Sequence, residues 1–240
     1  MDANASRPER TVTYTYTIEL AGGAAKKFQI VLDYHTMRLI PPAKDEHPEW
    51  AQLDFFQCPN CPLDTLQHRH CPVADNIAPV VESFRECMSY DRVKVICESA
   101  NRTCLKEVSL QEGLSSVIGI YMVTSGCPIL AKLSPVVRYH LPFSNEEETK
   151  FRAMSLYLIA QYFINKRGGT PDWDLKNLVT IYDQIRIVNK AFCKRLSNIK
   201  IKDSSINALV TLDCFADSIS FSINENLMEE IETLFQVYFE

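Results

Sequence analysis

The sequence predicts an α+β fold: a small antiparallel β-sheet that starts with an N-terminal hairpin, then a cysteine-rich loop, then a C-terminal α-helical bundle. Three observations carry this. Val12, Tyr14, Tyr16, Ile18 and Leu20 alternate with polar residues at the period of a half-buried strand. Pro59, Pro62 and Pro72 interrupt residues 56–73, where three cysteines cluster. From Gln111 onward the apolar residues recur at helical spacing. A division into residues 1–55, the hairpin unit, and residues 56–240, the cysteine-rich loop with a mainly helical domain, follows.

In the hairpin, Ala21-Gly22-Gly23-Ala24 supplies the turn and Phe28, Ile30 and Leu32 mark the return strand, with Met37 to Ile40 expected as a third short strand. The charged, proline-rich run from Pro41 to Pro48 reads as a linker over residues 41–49. Asn76 to Tyr90 reads as a helix, and Val93, Val95 and Cys97 as a strand that returns through Thr103 to Val108, so four or five strands can join in one sheet.

Leu114, Val117, Ile118 and Tyr121 mark a helix that Ser125-Gly126 ends, and a new helix can begin at Cys127-Pro128 because proline suits the first helical position. Ser144 with Glu147 forms an expected capping box for a helix through Lys166. The stretch Leu156 to Ile164 is apolar almost all round, as in a central helix buried on several sides. After Gly168-Gly169-Thr170-Pro171, Asp172 and Asp174 read as the cap and first-turn acids of a long amphipathic helix through Leu196. Lys190, Lys194, Arg195, Lys200 and Lys202 sit where cations complement its dipole. Two further helices are expected, through Ile206 to Ile219 and through Leu227 to Tyr238. Arg138 and Arg152 are expected to form a partly buried polar pair.

Composition narrows function. The 240 residues are 46% hydrophobic and 23% charged, an ordinary globular balance. A net charge of −5 argues against a general affinity for nucleic acid or an anionic membrane. The N-terminus lacks the apolar stretch of a secretory signal, and the most apolar run falls short of a bilayer span, so a cytoplasmic protein with reduced thiols is expected. No P-loop, G-x-G-x-x-G, G-x-S-x-G or H-E-x-x-H motif occurs.

The distinctive feature is the cysteines. Of nine, Cys58, Cys61, Cys71 and Cys127 are each followed by proline, whereas chance places roughly 0.45 such pairs in a chain of this composition. Proline stiffens the backbone after each thiol. Cys58 and Cys61 have the C-x2-C spacing that lets two thiolates reach one ion from a single turn. Cys71 follows on the same loop, and Cys127, at an expected helix start, is the chosen fourth ligand. His68, His70 and His140 compete for that place.

Tetrahedral thiolates suit Zn, the preferred metal, with an iron-sulfur cluster as the alternative. Haem on a thiolate fits less well by ligand preference, and thioredoxin-like redox chemistry less well because Pro62 and a polar loop follow Cys61 where a redox motif needs a helix start. The opposing reading is that the prolines merely shape loops and the cysteines are small buried hydrophobes. That reading is preferred for Cys87, Cys193 and Cys214, expected on helices, and for Cys97 and Cys104, expected on strands.

The segments Cys58-Pro-Asn-Cys-Pro-Leu63, Ser125-Gly-Cys-Pro128, His140-Leu-Pro-Phe143 and Tyr157-Leu-Ile-Ala-Gln-Tyr-Phe163 together resemble an uncharacterised bacterial family, a domain of unknown function, over most of the chain. The resemblance implies a bacterial cytosolic protein and carries no activity with it. The function expected from the residues is a metal-binding protein in which structural Zn supports a surface for a protein or small-molecule partner. The competing expectation is an enzyme in which an iron-sulfur cluster or open metal site on the same cysteines does chemistry, with Arg138 and His140 as polar groups.

Overall fold

Alternation builds the sheet. In a computed structural model describing residues 10–42, 46–224 and 229–239, β1 (Thr11–Leu20) turns at Gly23, which has φ +80°, into β2 (Ala25–Asp33). Further along the chain, β3 (Arg92–Glu98) and β4 (Thr103–Ser109) form a second hairpin. The antiparallel order is β2-β1-β3-β4, with Tyr16 opposite both Phe28 and Cys97. Because β1 pairs with β2 and β3, a boundary at residue 55 separates strands of one sheet. The stretch expected as a third strand forms only an isolated bridge, Leu39 to Leu32. Met37 adopts φ 54°, which turns the chain away. Of the expected linker, residues 43–45 lie outside those described.

One sheet face carries Tyr14, Tyr16, Ile18, Ile30, Leu32, Val93 and Val95, all buried. α1 (Pro72–Ser83) and α2 (Leu110–Thr124) pack beside it in a continuous core. Each fully buried aliphatic side chain contributes about 1.5–3 kcal/mol. α2 approaches the sheet closely at Gly113, where a Cβ would lie 2.8 Å from Val95 Cγ2. α1 starts earlier than the composition predicts: Pro72 does not exclude it but occupies its first turn, where a missing N–H costs nothing. α2 ends as expected, with Gly126 at φ +94°.

After Cys127 the chain makes a turn, a short 3-10 segment (Leu130–Leu133) and a one-turn α3 (Ser134–Val137), in place of a full helix. α4 (Glu146–Lys166), α5 (Lys176–Ser197) and α6 (Ser204–Asn224) complete the helical part, with α6 packed on both α2 and α5. By length and composition α6 could cross a membrane, although its inner face covers other helices.

Three helical expectations shift. The capping box of α4 is one residue later, with the Asn145 side chain accepting from Glu148 N and Glu148 Oε2 accepting from Asn145 N, each 2.8 Å. Ser144 instead donates to the Leu141 carbonyl. α4 is not the central helix: Ile159, Tyr162, Phe163 and Ile164 are exposed, and α2 and α6 take the interior. The last expected helix is broken into α7 (Glu229–Thr233) and a 3-10 turn at Gln236–Tyr238, while Leu227 lies outside the described residues.

Candidate metal centre

Residues 51–71 form a loop held to the body of the protein by main-chain bonds. Leu53 N donates to Arg69 O and Cys71 N to Ala51 O, so the loop closes on itself. Within it, Cys61 N donates to Cys58 O at 3.0 Å, the single turn anticipated from the C-x2-C spacing. Between them Asn60 donates to Gln184 on α5.

Cys71 is the N-cap residue of α1 and is buried; the main-chain N–H groups of Val73 and Ala74 lower its thiol pKa and partly offset the upward push of burial. Cys127, also buried, has the same arrangement with Ile129 and Leu130. Both Cys-Pro pairs therefore present sulfur to the start of a helical turn, the position that favours thiolate.

The four Cys-Pro thiols share one neighbourhood. Burial pushes Cys58 up to about 12, and Cys71, Cys61 and Cys127 push in the same direction. Cys61 acts likewise on Cys71, and both Cys71 and Cys61 act on Cys127. Every pair among the four is thus close enough to interact electrostatically. Among the described residues, no grouping of three or more His, Cys, Asp or Glu side chains is already set to hold a metal ion. The thiols are neighbours whose sulfurs have not converged on one point.

At this neighbourhood lies Arg195, 0% exposed. Its Nη1 donates to the carbonyls of Trp50 (2.7 Å) and Gln52 (2.8 Å), and its Nη2 to those of Leu53 (3.3 Å) and Phe56 (3.2 Å). Nε is buried with no acceptor. The groups that would favour its charge when ionised are first Cys71, Cys58 and Cys61, ahead of Asp54. By sequence Arg195 is one of several cations near the end of α5, but its position three residues after Phe192 continues the apolar stripe of that helix, the signal that marks it as buried.

Two of the three candidate histidines have partners of their own. His68 is exposed. His70 stacks on His47 at 4.2 Å, and His47 in turn bonds Asp75. His140 Nε2 bonds the Tyr16 hydroxyl at 2.5 Å, and burial holds its pKa down at about 3. Arg138 and Arg152 do not pair: Arg138 stacks on the Tyr34 ring at 3.7 Å, while Arg152 donates to Ser144 Oγ and to the carbonyls of Val136 and Tyr139. Of the remaining cysteines, Cys97 is buried, Cys87, Cys104 and Cys193 are half-buried, and Cys214 is exposed on the outer side of α6, contrary to the core packing expected of it. Cys87 follows α1 in a turn rather than lying on a helix.

Residues 12–236 match the family described as Domain of unknown function (DUF6901). The chain belongs to that family. The DUF6901 match spans the sheet, the cysteine loop and the helices alike, so the four Cys-Pro positions all fall inside it. No curated protein and no solved structure matches the chain.

Proposed function

We propose that this protein is a zinc-thiolate protein in which Cys58, Cys61, Cys71 and Cys127 bind one Zn ion that fastens the 51–71 loop to the turns preceding α1 and following α2. The observation that carries this reading is the gathering of the four Cys-Pro thiols, from separate stretches of chain, with three of them within reach of a buried guanidinium that bonds only main-chain carbonyls. Four thiolates on Zn leave a net negative centre, and a buried charge needs a compensating one. Arg195 supplies it.

Binding would replace the thiol protons and turn the sulfurs inward onto a common point about 2.3 Å from each. Four protein ligands close the coordination shell and leave no open position, which assigns the ion a structural role. Its effect is to stiffen a surface for a protein or small-molecule partner, in a chain whose core does not depend on metal.

Elemental analysis of the native protein tests this. One Zn per chain is expected, lost in Cys58→Ser and in Cys127→Ser. Undiminished Zn in Cys127→Ser overturns the fourth ligand. A brown protein with visible absorption replaces zinc with an iron-sulfur cluster, and native protein without metal overturns both.

A further inference from the structure

A cavity of about 500 Å3 lies where α2, the segment from Leu130 to Asn145, α4, α5 and α6 meet. Much of its wall is apolar, including Ile120, Val123, Leu212, Phe215 and Ile219. Its polar groups include an ion pair, Lys106 with Glu112 at 2.7 Å, and two further sets. His140 and Ser116 are both satisfied by the Tyr16 hydroxyl, which bonds His140 Nε2 and Ser116 Oγ. Arg152, Tyr182 and Asn189 are left with capacity to spare.

Asn189 is 2% exposed, lines the cavity and makes no hydrogen bond through its side chain. Its amide atoms open onto the cavity, where they are free to bond a group that enters. Tyr182, a buried residue that also lines the cavity, likewise makes no hydrogen bond through its hydroxyl, which opens onto the same space. Arg152 donates only to neutral oxygens, those of Ser144, Val136 and Tyr139, while the Tyr182 phenol and the Glu148 carboxylate lie within its electrostatic reach. Tyr182 and Asn189 are both on α5, seven positions apart, which at 1.5 Å per residue separates them by about 10 Å along the helix. One end of the cavity therefore offers a cation and a hydroxyl, the other an amide, with apolar wall between them.

We propose that this cavity binds a medium-chain carboxylic acid bearing a second polar group, a hydroxyl or carbonyl, at the far end of its chain. The carboxylate sits between Arg152 and Tyr182, the methylenes lie along Leu212, Phe215 and Ile219, and the distal oxygen accepts from or donates to Asn189. A guanidinium is matched to a carboxylate in charge and fork geometry, and the volume is that of an ordinary small-ligand pocket. The inference is independent of the thiol centre, which shares none of these side chains.

Calorimetric titration of the purified full chain with ω-hydroxydecanoate, decanoate and 1-decanol tests it. ω-Hydroxydecanoate is expected to bind about tenfold tighter than decanoate, because decanoate leaves Asn189 unpaired, and decanoate in turn about tenfold tighter than 1-decanol, which lacks the charge. Asn189→Leu should abolish the preference for ω-hydroxydecanoate while decanoate still binds. Arg152→Met should abolish the preference for acid over alcohol. Because Arg152 also holds the carbonyls of Val136 and Tyr139, Tyr182→Phe provides a milder test at the same end, with the acids weakened and the alcohol unchanged. Failure of all three probes to bind, or equal binding of the two acids to the native protein and to Asn189→Leu, overturns the proposal.

Discussion

Asn60 donates from its side-chain amide to the main-chain carbonyl of Gln184 at 2.9 Å, across 124 positions of sequence. The same nitrogen reaches Gln184 Oε1, also at 2.9 Å. Because Asn60 lies inside the turn between Cys58 and Cys61, this contact fixes the orientation of the C-x2-C pair relative to α5. At the proposed Zn site, Asn60→Ala should therefore weaken metal binding about tenfold or more, the usual effect of losing a group that orients a ligand turn. Competition with a chelator measures it, and unchanged affinity would separate the turn from the metal.

Arg195 joins α5 to the other end of that loop. Arg195→Met removes the donors to the carbonyls of Trp50, Gln52, Leu53 and Phe56 and should cost about 3 kcal/mol or more in denaturant unfolding. Arg195→Lys should recover only part of the loss, because an ammonium has three donors and no planar fork.

His140 makes stability depend on pH. Its folded pKa is depressed to about 3 from the ordinary 6.5, so below pH 6.5 the unfolded chain takes up a proton that the folded chain refuses. The contribution is fully present above that pH and falls by about 1.4 kcal/mol per unit as the solution is acidified, until the folded pKa is reached. Between about pH 6.5 and pH 5 the native protein should lose about 2 kcal/mol more than His140→Gln does. Parallel curves for the two proteins would show that His140 is protonated in the fold.

Gly113 sets the distance between α2 and the sheet. Gly113→Ala gains about 1 kcal/mol of helix propensity, but its methyl meets Val95 Cγ2 at 2.8 Å, and overpacking costs about 1–3 kcal/mol. A net loss of about 1 kcal/mol is expected by urea unfolding, and a gain would mean that Val95 moves aside freely.

The register of the α4 cap can be tested at two neighbouring acids. Glu148→Ala breaks the bond to Asn145 N and should cost about 0.5–1 kcal/mol of thermal stability, whereas Glu147→Ala should cost less. Equal effects would place the cap where sequence alone puts it, at Ser144.

Much of the architecture follows directly from sequence. Period-two alternation located β1 to β4, and helical spacing located α2, α5 and α6, because burial of one face is a local property repeated along each element. The error at Ser144 and Glu147 has a simple origin: Asn145 with Glu148 satisfies the same three-residue spacing, and only the path of the chain decides which pair closes. The apolar run from Leu156 to Ile164 misled for another reason. Hydrophobicity marks a helix that can be buried, while α2 and α6 had already filled the interior, leaving Ile159, Tyr162, Phe163 and Ile164 outside.

The sequence by itself determined an α+β chain with four cysteines set apart by the prolines that follow them, since composition and spacing are properties of the chain. What only the tertiary structure decided is that the thiols of Cys58, Cys61, Cys71 and Cys127 share one neighbourhood, three of them within electrostatic reach of Arg195, that His140 bonds Tyr16 and His70 stacks on His47, and that Arg152, Tyr182 and Asn189 face one cavity. Those relationships depend on how helices cross and which faces they bury, and contacts between residues more than a hundred positions apart leave no trace in local periodicity.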